Sequence, residues 1–77
     1  MNKMRRKELE RAMQLLSEAR TIIENATEGE QESYDNMPEG LQNSERGEQM
    51  YEYISTMEDI TSNIEDQESE LDDIING

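Results

Sequence analysis

The 77-residue sequence contains no cysteine, histidine, tryptophan or phenylalanine, and it has a single proline. Without cysteine the chain forms no disulfide, and without cysteine or histidine it lacks the usual ligands of zinc, haem and iron–sulfur sites. The absence of histidine also removes the commonest general base. Carboxylate pairs remain, but in so acidic a chain they arise by chance. We therefore expect no catalytic residue, no metal site and no cofactor.

Basic residues are also scarce, since 7 Lys and Arg stand against 20 Asp and Glu, a net charge of −13. Such a chain repels nucleic acid and anionic membranes, so we expect direct binding to neither. No apolar run approaches the ~20 residues that cross a bilayer, and the charged start leads into no signal-peptide core. These features predict a cytoplasmic protein with a single domain, residues 1–77.

Hydrophobic residues make up only 31% of the chain, a composition at the edge of intrinsic disorder. Their spacing nevertheless follows heptads, which predicts two long amphipathic helices, about 3–36 and 45–75, with a connection at 37–44. The predicted core positions of the first helix are Leu9, Ala12, Leu16, Ala19, Ile23 and Ala26. Those of the second are Met50, Tyr53, Met57, Ile60, Ile64, Gln67, Leu71 and Ile74, where Gln67 would form a polar layer that fixes the register.

Helix-capping and helix-breaking residues set these boundaries. Asn2 and Ser44 are good N-cap residues for the two helices. Pro38 disfavours helical backbone at Met37, so the first helix should end there. The stretch from Pro38 to Leu41 is compatible with one short turn of helix.

Charge is distributed unevenly along the chain, with +3 in residues 1–20 and −16 in residues 21–77. The basic cluster opens the first helix and an acidic cluster closes the second, and both placements oppose the local helix dipole. We therefore predict an antiparallel two-helix hairpin in which these ends lie side by side and form ion pairs. The acidic cluster consists of Glu65, Asp66, Glu68, Glu70, Asp72 and Asp73.

Two helices in so small a chain provide little core. We predict that two hairpins pack face to face as a homodimeric four-helix bundle, an all-α fold, with a higher oligomer as the alternative.

The connection is longer than a helical hairpin requires, and it is rich in side chains suited to recognition. One interpretation makes it a binding loop formed by Tyr34, Asp35, Asn36, Met37, Gln42, Ser44 and Arg46. The other makes it a structural cap, in which Asp35 or Asn36 caps a short turn, Leu41 closes the end of the bundle and Arg46 pairs with Asp35. The sequence favours neither interpretation over the other.

Residues 34–50, YDNMPEGLQNSERGEQM, resemble a segment of a family of small acidic helical-hairpin proteins encoded by phages and mobile elements of Gram-positive bacteria. The resemblance implies a location in the cytosol of a bacterial host. Because small genes of this kind often encode inhibitors of host machinery, it also implies an inhibitory role.

Together with the charge, the resemblance favours a non-enzymatic acidic protein that binds the basic surface of a host protein, such as a defence or nucleic-acid-handling protein, and inhibits it. The residues that would stand in for phosphates are Glu52, Glu58, Asp59, Glu65, Asp66 and Glu68. A first alternative is a protein that sequesters a small nucleotide signal, with Tyr34 stacking on the base and Ser44 and Arg46 binding phosphate. A second alternative is a structural or assembly module that uses the bundle alone.

Overall fold

The structure is a computed structural model that describes residues 1–77, and all its regular secondary structure is helical. The chain forms helices α1 (Lys3–Asp35), α2 (Glu39–Gln42) and α3 (Glu45–Asn76). The predicted all-α class is confirmed, and the bounds of both long helices agree with the prediction to within one residue. The molecule is elongated, 58 × 14 × 13 Å across its Cα positions. None of its helices combines the length and the hydropathy needed to cross a bilayer.

Both predicted N-caps are present. The Asn2 side chain accepts a hydrogen bond from the backbone N–H of Arg5 at 2.8 Å. The Ser44 hydroxyl accepts one from the backbone N–H of Gly47 at 3.4 Å. Each bond satisfies one of the amides that the first turn of a helix leaves without an intrahelical partner.

Helix α1 ends at Asp35, close to the limit that Pro38 imposes. Asn36 is its C-cap residue, and the Asn36 N–H donates to the Glu32 carbonyl at 3.0 Å. Pro38 then serves as the N-cap of α2, so the predicted short turn of helix is confirmed and begins one residue later.

Helices α1 and α3 contact each other, and two residue pairs define their register. Arg20 Nε donates to Glu68 Oε1 at 2.7 Å, and the ring centroids of Tyr34 and Tyr51 are 6.1 Å apart. Tyr34 follows Arg20 in α1, whereas its partner Tyr51 precedes Glu68 in α3. The two helices therefore run in opposite chain directions at these contacts. Carried along both helices, these two pairs place residue 75 at the level of residues 10–13 and leave residues 3–8 of α1 beyond the last turn of α3.

The contact surface follows heptad spacing on both helices. The least exposed positions of α3 are Gly47, Met50, Ile54, Met57, Thr61, Ile64, Glu68, Leu71 and Ile75. The half-buried positions of α1 include Leu9, Met13, Leu16, Arg20, Ile23, Thr27, Glu30 and Tyr34. Only Ile54, with 3% of its surface exposed, and Ile75, with 9%, are buried apolar side chains. The single chain therefore has a small core.

One of the two predicted core rows of α3 does not face α1. Its members Tyr53, Ile60, Gln67 and Ile74 are all exposed, as is Ala26 of α1. The residue that follows each of the four lies in the contact surface instead. Gln67 therefore forms no polar layer between α1 and α3, and its polar layer in a four-helix bundle stays a prediction.

The polar residues of the contact surface include two threonines, Thr27 and Thr61. The Thr27 hydroxyl donates to the Ile23 carbonyl at 2.7 Å, and the Thr61 hydroxyl donates to the Met57 carbonyl at 3.0 Å. These bonds within each helix satisfy the hydroxyls and so remove the cost of placing them there.

The predicted pairing of the terminal charge clusters holds for Arg20 alone. Arg20 contacts Glu68 at 2.7 Å, Glu24 at 2.9 Å and Glu65 at 3.8 Å. The other cations of the first helix form no ion pair, because the stagger of the helices carries them past the acidic end of α3. These cations are Lys3, Arg5, Arg6, Lys7 and Arg11.

Candidate functional site

The connection is built around a close approach of α2 to the start of α3. Gly47 is buried there, and a Cβ atom at this position would lie 2.5 Å from the carbonyl oxygen of Leu41 and still nearer to that of Gln42. Only a residue without a side chain fits at such a separation. The Ser44 hydroxyl also donates a short hydrogen bond to the Leu41 carbonyl. Residues 44–47 thus hold α2 against α3.

A second set of bonds ties α2 to the end of α1. The Gln42 amide Nε2 donates to the Tyr34 carbonyl at 2.7 Å, and the Met37 N–H donates to the same oxygen at 3.1 Å. Tyr34, Met37 and Gln42 are all half-buried. Their polar groups therefore satisfy an exposed helix end, which is a structural role.

The predicted binding-loop residues cluster at one end of the molecule, and structural hydrogen bonds occupy the side chains of two of the seven, Gln42 and Ser44. Asn36 and Ser44 are caps, and Gln42 holds the Tyr34 carbonyl. Asp35 accepts a hydrogen bond from Gln31 at 2.9 Å. Leu41, which the cap interpretation placed over the bundle end, is exposed.

Two side-chain surfaces at this end remain open. Tyr34 and Tyr51 line a cleft of about 380 Å³, together with Gln42, Asn43, Glu48 and Glu52. Arg46 lines a separate cleft with Glu45, Glu48, Gln49 and Glu52. Arg46 forms no ion pair, so the pairing with Asp35 that the cap interpretation required is absent. The tyrosine cleft thus contains carboxylates and no cation.

The predicted acidic residues of α3 divide into three groups. Glu52, Asp59 and Asp66 recur at seven-residue intervals along an exposed row, which we call the outer row, and successive members are about 10.5 Å apart along the helix. Glu58 and Glu65 are exposed on a second row, about 100° around the helix from the outer row. Glu68 is separate from both, because its side chain is only 17% exposed and is bound to Arg20.

The Arg20 cluster organises one side of the helix pair. Arg20 Nη1 lies 2.9 Å from Glu24 of its own helix and 3.8 Å from Glu65 of α3. Hydrogen bonds from the guanidinium to Glu68 and then to Glu24 raise the pKa of Arg20 above its ordinary value. The guanidinium therefore stays charged at neutral pH.

Glu24 and Glu65 consequently lie on the same side of the two helices. Glu24, Thr27, Glu28, Glu58 and Thr61 line one shallow cleft there, which confirms that both helices present carboxylates to this side. We call it the acidic side.

The opposite side is apolar, and its position is not what the sequence patterns predicted. Residues two apart differ by about 200° around a helix, so Ile22 and Ile60 lie opposite Glu24 and Glu58. Ile22 is 68% exposed and Tyr53 is 55% exposed. We call this the apolar face, and it consists of Ala12, Leu15, Ala19, Ile22, Ala26, Tyr53, Ile60, Gln67 and Ile74. The width of each apolar stripe, which exceeds what one neighbouring helix covers, predicts such an uncovered side.

No three acidic side chains converge in an arrangement that could hold a metal ion. No protein-family model, curated protein or solved structure matches the chain. The geometry of the acidic side, the outer row and the apolar face is therefore the basis for a functional proposal.

Proposed function

We propose that this chain is a non-enzymatic acidic binding protein, encoded by a phage or mobile element, that binds a basic surface of a host protein and inhibits it. A nucleic-acid-handling or defence enzyme is the class of target that such a surface fits. The observation that carries the proposal is the outer row together with the acidic side. It forms an exposed and nearly continuous field of carboxylates along α3.

The arrangement of charge supports binding to a protein rather than to nucleic acid. Glu58, Glu65 and the outer row are free of basic partners, apart from the 3.8 Å contact of Glu65 with Arg20. Carboxylates on a straight helix present regularly spaced negative charge, which steers a basic groove towards the molecule and increases the association rate.

The proposed functional unit is an antiparallel hairpin that dimerises as a four-helix bundle. The opposite directions of the Arg20–Glu68 and Tyr34–Tyr51 contacts support the hairpin. The separation of an apolar face from an acidic side supports the bundle, because the apolar face can be covered while the carboxylates stay exposed.

A sequestering function for a nucleotide signal has less support. The tyrosine cleft offers ring surfaces for stacking, but Glu48 and Glu52 line it and Arg46 does not. A phosphate at this position would meet carboxylates without a compensating cation. A purely structural module is the remaining alternative, and it predicts that neutral variants of the outer row bind partners as well as the wild type does.

The test is a capture experiment from a Gram-positive bacterial lysate with the immobilised protein. The variant Glu52→Gln/Asp59→Asn/Asp66→Asn neutralises the outer row. The control Glu8→Gln/Glu10→Gln/Glu18→Gln removes the same charge from α1. We expect the wild type and the control to retain the same basic protein, and the outer-row variant to lose at least about tenfold in affinity, or about 1.4 kcal/mol.

Salt concentration provides the second measurement. Raising it from ~0.1 M to ~1 M shortens the Debye length from about 10 Å to about 3 Å, so the complex should weaken strongly. Affinity that is unchanged by salt and by the outer-row variant would refute the proposal. If the substitutions Tyr34→Ala and Arg46→Ala abolish the function of the protein and the outer-row variant does not, the sequestering alternative is correct.

A further inference from the structure

The apolar face is a long strip, and most of its residues are exposed. Its row from Tyr53 to Ile74 extends about 32 Å at 1.5 Å per residue. Both long helices contribute to it, and they contribute small alanines beside large side chains, a combination that lets helices approach closely. A covering partner must therefore be helical and apolar along a matching length, as a second copy of this chain is.

The apolar rows alone do not provide a full interface. A strip of about 32 Å by the 14 Å width of the molecule covers roughly 450 Å², against the roughly 800 Å² per partner of a stable complex. The remaining area must come from the two ends of the molecule, so the charges at those ends determine the orientation of the copies.

The two ends have opposite charge. Residues 3–11 contain five cations and two carboxylates, a net charge of +3. The connection end, residues 30–52, contains seven carboxylates and one cation, a net charge of −6. The cations of residues 3–11 have no ion-pair partner within the chain, and residues 3–8 are all exposed.

We propose that the apolar face binds a second copy of this chain in antiparallel orientation, with residues 3–11 of each copy beside the connection end of the other. The apolar rows are centred near the level of Ile22. A two-fold axis through that level brings residues 9–11 of one copy beside residues 33–35 of its partner, and residues 3–8 beside the connection that follows Asp35. Each copy then places its +3 end beside the −6 end of the other, so the dimer contains this contact twice. A parallel arrangement would instead place like charges together at both ends, which costs free energy.

This inference rests on the proposed dimer but not on the proposed target. The chain has no native cysteine, so single-cysteine variants can be spin-labelled at one site per protomer. Met4→Cys labels an exposed residue of the basic segment. In the antiparallel dimer the two labels should be about 54 Å apart, from 18 residues on each side of the axis at 1.5 Å per residue. In a parallel dimer they should be within about 25 Å.

Thr21→Cys is the control label, because it lies near the level of the axis and should give a short distance in either orientation. Ile22→Glu tests the surface itself, and Thr21→Glu adds the same charge one residue away on a different face. We expect Ile22→Glu to weaken the dimer at least tenfold in analytical ultracentrifugation, with helicity retained by circular dichroism, and Thr21→Glu to leave it within threefold.

A Met4–Met4 distance below about 30 Å would overturn the orientation. Two results would refute the proposal that a second copy covers the apolar face. One is a wild-type protein that is monomeric throughout the micromolar range, and the other is an Ile22→Glu dimer as tight as the wild type. Neither result depends on whether the outer row binds a host protein, since that binding is measured separately by capture.

Discussion

Arg20 of α1 and Glu68 of α3 form a two-pronged ion pair, with Nε–Oε1 at 2.7 Å and Nη2–Oε2 at 3.4 Å. It is the only ion pair between the two long helices that includes such a fork, and Glu68 is largely shielded from water. A charged residue in a contact surface is tolerated only when its partner is present, so this pair fixes the register of α1 against α3.

The first prediction concerns the coupling of these two residues. Arg20→Met and Glu68→Gln should each lower the urea midpoint, because each leaves one polar group without its partner. The double variant should be less destabilised than the two single effects combined. Circular dichroism at one fixed protein concentration measures this. Strict additivity would mean that the pair contributes nothing to the register.

The second prediction concerns pH. A pKa raised in the folded state gives stability that is present below the unfolded pKa and lost only as pH rises through the folded pKa. For Arg20 both values lie far above neutrality, so the stability difference between the wild type and Arg20→Met should be constant from about pH 6 to about pH 10. Urea unfolding across this range is the measurement, and a difference that shrinks with rising pH would contradict the assignment.

The third prediction concerns two glycines. Gly47→Ala should destabilise the protein by about 1–3 kcal/mol, because the added methyl group forces α2 away from α3. This outweighs the gain of up to ~1 kcal/mol in helix propensity. Gly29→Ala is the matched control, since nothing lies within 4 Å of its Cβ position, and it should stabilise the protein by about 0.5–1 kcal/mol. Equal effects of the two substitutions would refute the packing at Gly47.

The fourth prediction concerns the core. Ile54 is the least exposed apolar side chain, so Ile54→Ala should cost about 2–4 kcal/mol, whereas Ile54→Val should cost about 0.5–1.5 kcal/mol. Urea midpoints provide the comparison. An Ile54→Ala variant as stable as Ile54→Val would show that Ile54 is not a packing residue.

The fifth prediction concerns the caps. Asn2→Ala should mainly fray the start of α1 and cost about 0.5–1 kcal/mol. Ser44→Ala should cost more, about 1–2 kcal/mol, because the Ser44 hydroxyl both accepts from Gly47 and donates to Leu41. Ser44→Asp keeps the acceptor and removes the donor, so it should be intermediate. Equal losses for Asn2→Ala and Ser44→Ala would mean that the link to α2 has no energetic role.

The helices and their ends were predictable because local chemistry determines them. Asn2, Ser44 and Pro38 act through backbone bonds within a few residues, and the apolar period reports an amphipathic helix directly. The short turn at α2 follows from the same local rules.

The choice of contact row was not predictable in this way. The apolar spacing predicts Ile60 and Gln67 in the core, whereas Thr61 and Glu68 lie between α1 and α3. Counting apolar residues favours the wrong row, because Glu68 is satisfied only by Arg20, forty-eight positions away in the chain. Polar residues at a contact surface depend on partners that a single helix pattern does not reveal.

The connection illustrates the same limit. Its side chains suggest recognition, but those of Gln42 and Ser44 bind backbone groups of α1, α2 and α3. Only the three-dimensional approach of α2 to Gly47 shows that these polar groups are already occupied.

The uncovered start of α1 has a consequence for amide hydrogen exchange. Residues 3–8 form fewer than two turns of helix beyond the end of α3. Such a segment is only marginally stable in water, so its amides should exchange almost as fast as those of an unfolded peptide. Amides in the middle of α1, where Arg20 binds Glu68, should exchange far more slowly. If a second copy covers residues 3–11, exchange at these amides will slow as protein concentration rises, and the first turns of α1 will record the state of assembly.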